Sequence, residues 1–387
     1  MTLVMTYKTM LGLTLALILI IPATTLGAYA IAPDAPQDGK QLTIKGIASS
    51  TSSAVLKKWT TAYQGEYPGV KTIFDTSGPS NVAYQISKKN IYFGVTDVPL
   101  SSSQSKISPT PLVIPNSIET VAIAYNLPEF KQSGLKLTGP VLADIYLGKI
   151  IYWNDKKIQD LNPGIKFPSA RIIALHRLDP SGVTYAFTDY LSSVSKNWKT
   201  QIGKGTTVSW NSGSADQQLK YDDIVVRNLV NTPYSIGYTD LANAIKYRTT
   251  NAAIKNGDGT NFVIPSLEAA TSAAQSASNN LPESDGDWSN VSIVNSHGTN
   301  SYPIVSLSST WTYQDLDKIK GMDKDTAKAL VHQIYWEITD GQQKLAYLKL
   351  APLPAELQEL DKRGLSKIDF KGSQLYAYDG FLIQPET

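Results

Sequence analysis

Strand-like and helix-like segments alternate along this 387-residue chain, which predicts an α/β fold with mostly parallel sheets. Two further observations shape that expectation. Beyond an N-terminal export segment about 357 residues remain, more than one hydrophobic core usually organises, so two lobes are expected. Three times, moreover, a strand runs through a short polar turn into an amphipathic helix.

Residues 1–30 read as a secretory signal. Lys8 is their only charge, Leu11–Ile21 is apolar, and Ala28-Tyr29-Ala30 supplies a small-x-small cleavage pattern. The apolar run is shorter than the roughly 20 residues of a membrane span, so cleavage is expected rather than a retained anchor. The chain has no cysteine, which excludes a lipidated N-terminal cysteine, disulfides and thiolate metal sites. Without residues 1–30 the chain keeps 34 basic and 33 acidic residues. That balance argues against nucleic acid or anionic lipid as the main partner. A soluble, extracytoplasmic monomer (periplasm or cell surface) is expected. Residues 31–40, with Pro33, Pro36 and Gly39, read as a tether.

The elements follow in order. Leu42–Ile47 is strand-like, and Ala54–Tyr67 is a helix with Val55, Leu56, Trp59 and Tyr63 along one face. Val70–Asp75 is a strand, Asn81–Lys88 a short helix, and Ile91–Thr96 a buried strand ending at Asp97. Leu112–Pro115 and Val121–Tyr125 read as two strands separated by Asn116–Thr120. Val141–Leu147 is a helix stopped by Gly148. The strand Ile172–Arg177 leads to a helix starting near Val183, and Asp216–Leu229 reads as mostly helical. Ser235–Tyr238 is a strand before a helix at Leu241, and Leu267–Ala277 is an Ala/Ser-rich helix. Asn279–Asn300 is a long polar loop, and Tyr302–Thr312 returns as β structure. Asp325–Thr339, Gln342–Tyr347 and a segment opened by Pro352–Leu360 are helical. The chain is expected to cross between lobes near Leu112 and before Tyr302. Lobe 1 is then 41–115 with 303–387, and lobe 2 is 116–302.

The chemistry concentrates in the three junctions, Gly46–Ser53, Asp75–Asn81 and Arg177–Gly182. Each sets hydroxyls and glycine beside helix N–H groups that have no intrahelical partner. A single serine-rich junction is ordinarily a cap. Three of them, together with Arg177 and the strand-terminal Asp97, are equipment for a tetrahedral oxyanion. Asp97 has two readings: it accepts a hydrogen bond from a protonated anion, or it caps the turn at Val98-Pro99-Leu100. An acceptor there favours phosphate, which keeps a hydroxyl, over sulfate, which has none, by about 1–3 kcal/mol. Asp179 is placed to clamp Arg177, to offset the helix dipole, or both.

Other chemistry is not indicated. His176, His297 and His332 lack companions at metal or catalytic spacing, so no metal or cofactor is expected. No Gly-x-Ser-x-Gly, His-Glu-x-x-His, Walker A or Gly-x-Gly-x-x-Gly signature occurs, so the chain does not read as an enzyme. Trp153, Trp198, Trp210 and Trp336 are packing residues. Asn290-Val291-Ser292 is a glycosylation sequon in the polar loop.

Several segments together resemble the substrate-binding protein of the high-affinity phosphate ABC transporter. They are Ile91-Tyr-Phe-Gly-Val-Thr-Asp-Val-Pro-Leu100, Leu142-Ala-Asp-Ile-Tyr-Leu-Gly-Lys-Ile150, Trp153-Asn-Asp155 and Leu161-Asn-Pro-Gly164. His176-Arg-Leu-Asp-Pro-Ser-Gly-Val-Thr184, Phe187-Thr-Asp-Tyr-Leu191, Ser235-Ile-Gly-Tyr238 and Leu350-Ala-Pro-Leu-Pro354 complete the set. The resemblance implies a type II periplasmic-binding-protein fold, with two α/β lobes, a ligand cleft and two hinge crossovers. It implies extracytoplasmic binding of inorganic phosphate by hinge closure, and delivery to the transmembrane subunits of an ABC permease. The phosphate ligands it implies are Ser50, Thr51, Asp97, Arg177, Ser181 and Gly182. At the second junction Pro79 stands at or beside the usual ligand serine, so Ser80 or Ser77 substitutes. Val183 replaces a threonine and keeps its N–H, while Thr184 can supply the missing hydroxyl. The alternatives are a same-fold receptor for sulfate, molybdate or arsenate, or a surface phosphate sensor.

Overall fold

The computed structural model describes residues 32–37, 39–99, 111–210, 217–289 and 291–378. The expected export signal and Asn290 of the sequon lie outside the described residues. The chain opens with β1 (Leu42–Ser49), α1 (Ser53–Glu66), β2 (Val70–Ser77), α2 (Pro79–Ser87) and β3 (Phe93–Thr96). A long strand, β4 (Leu112–Asn126), follows. Next come β5 (Lys136–Leu137), α3 (Gly139–Tyr146), α4 (Lys156–Leu161), β6 (Ile173–Arg177), α5 (Gly182–Val194) and α6 (Lys196–Gln201). Then follow β7 (Gln217–Leu219), α7 (Asp222–Asn231), β8 (Ser235–Asp240), α8 (Leu241–Lys246) and β9 (Thr250–Asn251). After β10 (Ala253–Lys255), β11 (Phe262–Val263) and α9 (Leu267–Ser278), the chain returns through β12 (Val305–Thr312). It finishes with α10 (Lys324–Ile338), α11 (Gln342–Leu345), α12 (Ala355–Leu365), β13 (Asp369–Phe370) and β14 (Ser373–Gln374).

Among the described residues a nine-stranded sheet runs β2-β1-β3-β12-β4-β8-β6-β7, with β9 also on β4. The expectation of mostly parallel sheets holds only at the flanks. β1 is parallel to β2 and β3, and β6 is parallel to β7 and β8. The centre is antiparallel, because β4 and β12 carry the chain between the halves in opposite directions.

The two strands expected near Leu112 are one. Residues 112–120 of β4 pair with β12, and residues 121–126 pair with β8. Asn116–Thr120 looked like a break because polar residues interrupt the apolar pattern. Here they are buried between strands: Asn116 is 1% and Glu119 7% exposed. The register slips at Ser308/Ser309, which leaves Asn116 as the extra residue of a β-bulge. Its Nδ2 donates to Thr310 Oγ1 (3.0 Å), and its carbonyl accepts from Gln342 Nε2 (2.8 Å). The expected helix over Asp216–Leu229 is also corrected. Its described part begins as β7, reverses at Tyr221 with φ 63°, and becomes helical only from Asp222. Asp222 and Asp223 sit in the first turn of α7, where negative charge complements the helix dipole.

The polar loop after α9 ties the halves together. Ser284 O accepts from Val113 N (2.8 Å), Glu283 pairs with Arg363 (3.1 Å), and Ser292 Oγ donates to Asp189 Oδ2 (2.6 Å). Asp34 and Lys40, in the expected tether, pair with Lys328 and Asp325 of α10. Trp153, Trp198 and Trp336 are buried as expected, and Trp210 stacks on His176 (4.5 Å between ring centres). Among the described residues no helix is long and apolar enough to cross a membrane.

One core carboxyl has a measurable consequence. Burial pushes Glu337 up to about 7, against a hydrogen bond from Gln333 (2.9 Å) that lowers it. Because the folded value is raised, its stabilisation is complete below about pH 4.5 and disappears as pH climbs through 7. Glu337→Gln should leave thermal stability at pH 4 nearly unchanged and raise it at pH 8 by up to about 3 kcal/mol. Parallel melting curves for both proteins at the two pH values check this.

Candidate functional site

The first junction follows from where β1 stops. Its C-terminal end, Ser49, lies beside the C-terminal end of β3, because the two strands are parallel neighbours. Ser49 Oγ therefore reaches Asp97 and donates to its Oδ1 (2.9 Å), while accepting from the Ser52 N–H (3.2 Å). Ser52 is the N-cap of α1 but makes no side-chain cap, so the first-turn N–H groups are left for another acceptor. Ser50 and Thr51 are half-buried at this point.

Asp97 is 1% exposed, and its Oδ2 has no hydrogen-bond partner among the described residues. The Val98 N–H goes to Thr96 Oγ1 (3.3 Å), and Leu100, the last residue of the expected capped turn, lies outside the described residues. Burial raises the Asp97 pKa, opposed by the hydroxyls of Ser49 and Thr51 and the charge of Arg177. The second half of the molecule closes directly on this carboxylate. A Cβ built on Gly182 would overlap Asp97 Oδ2 and Cγ. Only glycine fits.

The third junction is built from β6 and α5. Ser181 caps α5 by accepting from the Val183 N–H (3.1 Å), so that amide is already engaged. Arg177 closes β6 and is 3% exposed. Its Nε donates to Asp179 Oδ1 (3.1 Å), its Nη2 to Asp179 Oδ2 and its Nη1 to Asp222 Oδ2. The clamp by Asp179 was expected; the one by Asp222 was not. Burial lowers the Arg177 pKa, but Asp222 and Asp179 outweigh it and the guanidinium stays charged. Asp179 is in turn held below its usual range. Burial acts to raise it, and Arg177 and the Tyr221 N–H (3.1 Å) overcome that.

Thr184 supports the site from behind. Its hydroxyl meets Tyr238 OH (2.9 Å), and that oxygen accepts the Arg177 backbone N–H (3.0 Å). Thr184 is thus tied to the group that fixes Arg177. The second junction stands apart. α2 starts at Pro79 after Gly78, without a side-chain cap; Ser77 Oγ accepts from Asn81 Nδ2 (3.0 Å), and Ser80 is exposed. The structure thus brings Asp97, Arg177, Ser181, Gly182 and Val183 together as buried residues, with Ser50 and Thr51 at their edge. Ser80 is exposed and is not brought among them.

Sequence reasoning missed Ser49, Asp222, Tyr238, Glu119 and Asp240. Glu119, Asp222 and Asp240 line a cleft of 310 Å³ with Ser50, Thr51 and Lys58. Asp222 carries the only local signal, a paired-aspartate helix start. Its meeting with Arg177 across 45 residues comes from the sheet order.

Residues 32–330 match the PBP superfamily domain. The phosphate-binding protein PstS of Methanocaldococcus jannaschii is 32% identical over 350 residues, covering 87% of this chain and 90% of that protein. The phosphate-binding protein PstS of Haemophilus influenzae is 34% identical over 317 residues, covering 81% and 90%. The solved phosphate-binding protein from Stenotrophomonas maltophilia superposes with a TM-score of 0.57 at 14% identity, covering 82% of this chain and 92% of that one. The fold is the type II periplasmic-binding-protein fold, with β4 and β12 as its crossovers. By sequence over most of its length, this chain belongs to the PBP superfamily and, within it, to the PstS phosphate-binding proteins.

Proposed function

We propose that this protein binds inorganic phosphate outside the cytoplasm and delivers it to the transmembrane subunits of an ABC import permease. The observation that carries the reading is Asp97 Oδ2, a buried acceptor without a partner among the described residues, set against the N-terminus of α5. A buried acceptor of this kind calls for a donor, and phosphate near neutral pH brings one on its hydroxyl.

The remaining groups receive the charged oxygens. Arg177 offers a guanidinium fork held by Asp179 and Asp222; three of its five N–H donors are spent on those carboxylates. Ser181 and Gly182 supply the start of α5, with the Val183 N–H held by Ser181, and Ser50 and Thr51 the uncapped start of α1. Asp97 and the α1 start belong to the first lobe, Arg177 and the α5 start to the second, so an anion touching both favours the closed arrangement. No bond is made or broken. The permease then recognises the closed form.

Sulfate and phosphate separate the roles. Asp97→Asn converts the acceptor into a group that can also donate, which should erode discrimination between the two anions by about 10- to 100-fold, on the scale of one buried hydrogen bond. Calorimetric titration of ligand-free protein with each anion reads the ratio. An unchanged ratio would leave Asp97 a purely structural residue.

A further inference from the structure

We propose that closing the cleft around phosphate takes up protons on a carboxylate cluster formed by Glu119, Asp222 and Asp240, and that these residues set how affinity depends on pH. The inference rests on the phosphate reading above. It starts from position. Glu119 lies on β4 just before the strand passes from β12, where Thr120 faces Val305, to β8, where Val121 faces Asp240. Asp240 ends β8 and caps α8 through the Asn243 N–H (2.7 Å), and Asp222 opens α7. All three line the same 310 Å³ cleft as Ser50 and Thr51. Glu119 is 7% exposed with Oε1 unpartnered among the described residues, and Asp222 Oδ1 is likewise unpartnered.

The charges facing this cluster do not balance it. From the turn after β3 comes Asp97, from β6 Arg177, from the turn after it Asp179, from β8 the neutral Tyr238, and from α1 Lys58. Arg177 is already shared between Asp179 and Asp222. Five carboxyls therefore face one guanidinium and one rim ammonium before any anion arrives. Among the described residues no three His, Cys, Asp or Glu groups are placed to hold a metal ion, so charge balance falls to protons. Burial raises all three carboxyls. Glu119 goes well above its ordinary value, with Asp240, Asp97 and Asp222 adding to the effect. Asp222 is pushed up to about 8, and Asp240 is raised despite its bonds to Asn243. A bound phosphate adds negative charge a few ångströms away and pushes them further. Groups partly ionised in the open cleft then fill with protons as it closes.

Calorimetry of phosphate binding at pH 8, repeated in buffers of widely different ionisation enthalpy, counts those protons. The wild-type protein should take up about one proton per phosphate, and its affinity should weaken about tenfold per pH unit above that point. Phosphate itself can also gain a proton, so the decisive comparison is with Glu119→Gln and, independently, Asp240→Asn. Each should lower the uptake and flatten the pH dependence while phosphate still binds; the two variants guard against one failing to fold. Zero uptake by the wild type, or uptake equal in all three proteins, overturns the inference and leaves the phosphate reading standing. No heat with phosphate at any pH removes both.

Discussion

Arg177→Ala is expected to abolish measurable phosphate binding, a loss of at least ~1000-fold by calorimetry. Two charge-assisted hydrogen bonds in a dry cleft are together worth about 3–6 kcal/mol, and about 4 kcal/mol corresponds to that factor. The substitution also reaches the protein itself. Asp222 and Asp179 lose the charge that faces them, and Asp222 already stands at about 8 because burial raises it most and Asp240 adds to that. Without Arg177 its folded value rises further. A raised carboxyl contributes stability below its unfolded pKa and loses it as pH rises through the folded value. The variant should therefore melt below wild type at both pH values, because Asp179 loses its clamp throughout, and the deficit should widen between pH 5 and pH 8.5. Tight binding by a folded Arg177→Ala protein would remove this residue from the site. Arg177→Lys is a useful companion. It keeps the charge and loses the fork, so it should recover stability at high pH more than it recovers phosphate.

The second large effect is expected from a single methyl group. In Gly182→Ala the new Cβ would occupy the space of the Asp97 carboxylate. Asp97 cannot retreat easily, since Ser49 holds its other oxygen and it is buried on all sides. The methyl group is accommodated only by keeping the lobes apart. Alanine is a good residue for the first turn of a helix, so folding of each lobe should be nearly unaffected. Phosphate affinity should fall by ~100-fold or more, with the thermal midpoint of the ligand-free protein changed by only a few degrees. Small-angle scattering supplies the direct check. The wild type should contract on adding phosphate and the variant should not. Contraction of both would mean that the contact with Asp97 yields.

Much of this was legible in the chain, for identifiable reasons. Short flanking strands and their helices follow from local periodicity, and β1, α1, β2, β6, α5 and α9 lie within a few residues of expectation. The three junctions were visible because capping chemistry is local. What failed was information carried by distant partners. Asn116–Thr120 is polar in sequence, yet it stays extended because β12 pairs its backbone and Thr310 and Gln342 bond Asn116. Asp222 fell inside the helix expected over Asp216–Leu229, and it acquires its role beside Arg177 only when β6 and β8 stand side by side. Thr184 looked like a spare ligand hydroxyl; its meeting with Tyr238, 54 residues on, has no local signal.

The uninterrupted β4 has an implication for how the chain can be divided. Its early residues complete the sheet that holds β3 and β12, and its later residues complete the sheet that holds β6 and β8. A fragment ending near residue 115 would lack β12 and expose the edge of β3 that β12 covers, and the complementary fragment would begin in mid-strand. The molecule thus has no seam in its primary chain. Severed pieces should be recovered as aggregates when made singly, and as a working receptor only when co-expressed.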